Sequence, residues 1–92
     1  MSRKIIYTIS FLDSLYEIQK YIQKDSNKRA KDFVNFIKSK LDNLKLFPKR
    51  GRYVENEMYI YQLHENYYLS YFVKEENIYL LYVGHVKFRI KK

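Results

Sequence analysis

The chain has 92 residues, enough for one domain with a modest core. It holds no cysteine, which excludes disulfides and thiolate metal sites and suits a reducing compartment. Its formal net charge of +8 points to an acidic or phosphate-bearing partner. The N-terminal Met-Ser-Arg-Lys-Ile-Ile-Tyr lacks the apolar run of a signal peptide, and no stretch is long enough to span a membrane, so a cytoplasmic protein with no membrane partner is expected. The charge is unevenly placed. Residues 1–52 hold thirteen Lys/Arg against five Asp/Glu, whereas residues 53–92 hold five of each. Two basic clusters result: Lys45, Lys49, Arg50 and Arg52, then Lys87, Arg89, Lys91 and Lys92.

Lys4 to Ser10 alternates as a first strand. Ser10 followed by Asp13 has the spacing of a capping box, and a helix is predicted from Phe11 to Gln23. Its stripe is Phe11, Leu15, Ile18 and Ile22, recurring at helical intervals. Lys24-Asp25-Ser26-Asn27 is a polar break with Asp25 or Ser26 as N-cap. A second helix then runs to Leu46 along Ala30, Phe33, Ile37, Leu41 and Leu44. Two amphipathic helices joined by a short turn make an antiparallel hairpin, whose apolar stripes need a sheet to cover them.

Phe47-Pro48 ends the second helix, because proline disfavours helical geometry in the residue before it. Lys49-Arg50-Gly51-Arg52 is predicted as a basic turn, with Gly51 free to take a positive φ. Three aromatic and branched runs follow: Met58–Leu63, Tyr67–Val73 and Ile78–Val83. They read as an antiparallel meander with Tyr67–Val73 in the middle, after which Gly84 breaks the pattern. Period two puts Tyr67, Leu69, Tyr71 and Val73 on one face of that strand, and Tyr68, Ser70 and Phe72 on the other. The expected architecture is α+β in the order β-α-α-β-β-β: a single domain, 1–92, with the hairpin packed on a small, mainly antiparallel four-stranded sheet.

Several of these residues together resemble the RelE/ParE superfamily of bacterial type II toxin–antitoxin toxins. They are Tyr21-Ile22, Ala30, Phe33, Ile37, Leu41, Leu44, Phe47-Pro48, Gly51-Arg52, the run Tyr67 to Val73, Ile78 to Leu81 and Val83-Gly84-His85. The long hairpin is more similar to the ParE branch. The resemblance implies a growth-arresting protein silenced by a cognate antitoxin. It further implies one of two targets: DNA gyrase, poisoned by binding, or messenger RNA, cut on the ribosome.

Cleavage of RNA needs a base, an acid and a cation that stabilises the phosphorane. His85 is the candidate catalytic imidazole, with Arg52 of the Gly51-Arg52 turn as phosphate clamp. Arg52 is equally suited to bonding carbonyls of its own turn. Lys49, Arg50, Arg52, Tyr68, Lys87, Phe88 and Arg89 are the candidate target- or RNA-binding residues, the last three interleaving charge with an aromatic ring. RNA-cutting relatives usually carry an Arg or Lys in the second meander strand, where this chain reads Tyr59-Ile60-Tyr61-Gln62-Leu63; that departure weakens a nuclease reading. Two histidines twenty-one positions apart and no cysteine offer no metal site, and no glycine loop cradles a phosphate, so no cofactor is expected.

Overall fold

Both helices form where the apolar period places them. The computed structural model describes residues 3–64 and 66–85. Helix α1 spans Ile9–Gln23 and α2 spans Asn27–Leu46. Every residue of the predicted α2 stripe is buried, as are Phe11 and Ile18 of α1, while Leu15 and Ile22 pack at the core margin. Ser26 caps α2 by accepting the Arg29 N–H at 3.1 Å.

The start of α1 differs from expectation. The first strand, β1, is only Ile5–Tyr7, and Thr8 rather than Ser10 is the N-cap. Thr8 Oγ1 accepts the Phe11 N–H at 3.1 Å and donates to the Leu80 carbonyl at 2.7 Å. One hydroxyl thus starts the helix and ties it to the sheet, which neither Ser10 nor Asp13 does.

The sheet has five strands rather than four. Beyond β1 they are β2 (Arg52–Tyr53), β3 (Met58–His64), β4 (Tyr67–Lys74) and β5 (Asn77–His85), in the spatial order β1-β5-β4-β3-β2. The two-residue β2, antiparallel to β3, is the strand that sequence reasoning missed. β1 pairs parallel with β5, and the remaining pairings are antiparallel with β4 central. Gly84 does not end β5, which continues through His85. The helices cover the face bearing Tyr59, Tyr61, Leu63, Leu69, Tyr71, Ile78, Leu80 and Val83, all buried. Neither helix is long and apolar enough to cross a membrane.

Two hairpin turns are built without glycine. Asn56 and Glu57 adopt φ 50° and 64°, and Glu75 and Glu76 adopt 52° and 69°. A two-residue connection with both φ positive is the turn whose twist suits a hairpin, and it favours Asn-Gly. Left-handed geometry costs a non-glycine residue about 1–2 kcal/mol. Replacing Glu75-Glu76 by Asn-Gly should therefore stabilise the fold by about 1–2 kcal/mol, read as a higher urea midpoint at unchanged m.

Candidate functional site

The core-side alternation of β4 leaves Tyr68, Ser70 and Phe72 on the opposite face, which no helix covers. Ile6, Met58, Ile60 and Tyr79 join them, since each is cross-paired with, or alternates against, a residue of known side. Phe72 and Tyr79 stack at 4.6 Å with their planes 5° apart, and Tyr68 lies 6.3 Å from Tyr82. The Tyr68 ring sits over Gly84, its direct cross-strand partner. This open face is aromatic and apolar, and none of the residues named on it is acidic.

Arg52 borders the same face. It pairs with Ile60, whereas its neighbour Tyr53 turns to the helix side and meets Tyr59 edge-on at 5.4 Å. Arg52 is exposed, as a residue that contacts a target must be. The preceding turn is tightly held. Its Gly51 does not have a positive φ; glycine is needed there for space. A Cβ would stand 2.8 Å from the Ile60 carbonyl oxygen and 2.9 Å from the Tyr71 hydroxyl. Arg50 leaves the turn so that its guanidinium lies 6.0 Å from the ring centres of both Phe47 and Tyr61. Phe47 and Leu46 are exposed, and with Arg3, Pro48, Lys49 and Arg50 they line a cleft of about 570 Å³. Lys49 and Arg50, proposed from sequence as binding residues, thus share one apolar-floored basic cleft.

His85 lies elsewhere. β5 contains a bulge: Ser70 pairs with Tyr82 but Tyr71 pairs with Leu80, so Leu81 is the extra residue. Strict alternation from Ile78 and Leu80 would have put His85 on the open face; the bulge turns it to the helix side. There its ring meets Tyr67 edge-on at 4.7 Å. It lines a groove of about 500 Å³ between α1 and the edge of β5, with Ile9, Asp13, Glu17, Ile18 and Val83. A second bulge, at Leu63, lets His64 approach Tyr67 from the other side, at 6.4 Å. Burial pushes the Tyr67 phenol above its usual range, Tyr21 adds to the rise, and Arg29 opposes it.

Arg52 and His85 are therefore not brought together. They stand on opposite faces, on strands separated by three inter-strand spacings, about 14 Å. Of the remaining candidates, Tyr68 is on the open face, while Lys87, Phe88 and Arg89 lie outside the described residues. Period two in β4 already set Phe72 beside Tyr68 on one face; sequence reasoning missed Tyr79 as a member of that face and its stacking on Phe72. Among the described residues, no group of three or more His, Asp or Glu is placed to hold a metal ion.

Known proteins carry the same architecture. The chain superposes on the RelBE2 toxin–antitoxin complex of Mycobacterium tuberculosis with a TM-score of 0.62 at 16% identity, covering 92% of this chain and 99% of that one. It superposes on a YoeB/ParE toxin of Agrobacterium tumefaciens with a TM-score of 0.60 at 14% identity, covering 89% and 97%. At such identities the likeness shows the fold alone. No curated protein matches the sequence. The family model described as the ParE toxin of the type II toxin–antitoxin system parDE matches residues 5–89, nearly the whole chain, and the protein is a member of that toxin family, within the RelE/ParE superfamily.

Proposed function

We propose that this toxin arrests growth by binding, with DNA gyrase as its target, and that its cognate antitoxin silences it by covering the same surface. The observation that carries this reading is the placement of Arg52 and His85 on opposite faces of the sheet. Cutting RNA would need a base and a phosphate clamp on one scissile group, within hydrogen-bonding reach of the reacting atoms. A binding toxin needs only a surface. The open face supplies Tyr68, Phe72 and Tyr79, with Arg52 at its border, and the basic cleft supplies Lys49 and Arg50. Aromatic rings and arginine are the residue types that dominate binding energy at interfaces.

The test separates the two chemistries. His85→Ala should arrest growth at the same dose as the parent, whereas Arg52→Glu should lose at least about tenfold in potency, as for a residue worth 1.4 kcal/mol or more at an interface. Purified toxin should inhibit supercoiling by gyrase and leave messenger RNA intact on translating ribosomes. Loss of arrest in His85→Ala together with ribosome-dependent cleavage by the parent would replace this reading with the endoribonuclease.

A further inference from the structure

The hydroxyl of Tyr71 is a polar group in an otherwise apolar place. The residue is fully buried at the centre of the middle strand, its ring stacked on Tyr59 at 5.4 Å with planes 13° apart. Its hydroxyl nevertheless reaches the basic turn. It donates to the Pro48 carbonyl at 2.8 Å and accepts the Gly51 N–H at 3.0 Å. Beyond these two bonds, the turn is closed by the Arg50 N–H to the Phe47 carbonyl at 3.0 Å. The turn presses onto the sheet as closely as a glycine permits. Phenylalanine would pack in the same core equally well, so burial alone does not call for tyrosine here.

We propose that Tyr71 is the positioning residue for the target-binding arginines: its hydroxyl straps Pro48 and Gly51 to β4, and so fixes the directions in which Arg50 and Arg52 leave the sheet edge. This rests on the reading that those arginines meet the target. Tyr71 acts through them and touches no target itself. Burial also pushes its phenol up to about 12, the Gly51 N–H opposing and Tyr59 and Tyr61 adding to the rise. The stability that burial of the un-ionised phenol contributes is therefore whole below pH 10 and is lost as the pH rises from about 10 to 12, because the unfolded chain releases that proton first.

Tyr71→Phe keeps the ring and removes only the strap. Growth arrest should then need about tenfold more toxin, because the arginines are no longer preorganised and must be ordered on binding. In hydrogen exchange the Gly51 amide should lose at least about tenfold in protection while the helices keep theirs. The decisive measurement is a double-mutant cycle. In an Arg50→Ala/Arg52→Ala background, adding Tyr71→Phe should change potency little, because nothing is left to position. Fully additive losses would mean that Tyr71 merely stabilises the fold, and would overturn the proposal, as would an unchanged Gly51 amide. If Arg50→Ala/Arg52→Ala alone arrests growth like the parent, the target-binding reading fails and the positioning role falls with it. The ultraviolet titration of the parent minus that of Tyr71→Phe should show one tyrosine ionising near 12.

Discussion

Replacing Gly84 by valine is expected to cost about 2 kcal/mol and to disturb the open face at the same time. A Cβ at position 84 would fall on the Tyr68 ring, against its Cζ, Cε1 and hydroxyl oxygen, closer than side-chain atoms approach one another. Two effects compete. Valine suits a strand better than glycine by up to about 1 kcal/mol. Overpacking costs typically 1–3 kcal/mol and occasionally more, and here it wins because the ring must leave its seat. A displaced Tyr68 loses its contact with Gly84 and its place beside Tyr82, 6.3 Å away. In chemical denaturation, Gly84→Val should lower the midpoint. Tyr68→Ala should leave room for the valine, so the double variant should be more stable than the sum of the single losses by at least about 1 kcal/mol. A Gly84→Val protein as stable as the parent would show that Tyr68 does not hold that seat. If the open face meets the target, the same substitution should also weaken growth arrest in protein that still folds.

The sequence made the helices legible because their stripes repeat for about three and four turns, and each α2 member, from Ala30 to Leu44, is in the core. The inward set of β4 was equally readable, since Ser70 alone interrupts its aromatic and branched run. What sequence could not show was parity beyond a bulge. Ile78-Tyr79-Leu80-Leu81-Tyr82-Val83 is apolar at every position, so nothing in it marks Leu81 as the extra residue. That one residue decides which face His85 occupies, and with it whether His85 and Arg52 can share a substrate. The Thr8 cap was obscured for a different reason. Ser10 and Asp13 have the local spacing of a cap, but Thr8 also bonds Leu80, a partner seventy-two positions away that no local pattern encodes. β2 is too short to carry a period, and its place follows from Tyr71 and Gly51 drawing the turn onto the sheet. Local chemistry was readable wherever it repeated, and hidden wherever a single long-range contact decided it.

A second such contact gives the other prediction of large effect. β1 pairs with β5 only as far as Leu80, so the upper half of β5 has no strand on that side among the described residues. α1 stands there instead. Ser14 is buried in it, and its hydroxyl donates to the Phe11 carbonyl at 2.7 Å while accepting the Val83 N–H at 2.9 Å. A helix thereby does for β5 what a sixth strand would do, satisfying the main chain and covering an edge that would otherwise recruit another chain. Ser14→Ala sets two effects against each other. Alanine favours the helix by about 0.5 kcal/mol. The Val83 N–H, in a residue 1% exposed, would be left without an acceptor, which costs about 1–3 kcal/mol. The orphaned donor should win, giving a net loss of about 1–2 kcal/mol and a drop in Tm of roughly 5–15 °C for a domain of this size. The signature that separates this from a general loss of packing is local: the Val83 amide should exchange faster than its neighbours on the β4 side of the strand. Ser14→Thr, which keeps the hydroxyl, should retain most of that protection. Equal exchange at Val83 in the parent and in Ser14→Ala would mean that the edge is satisfied by something other than this helix.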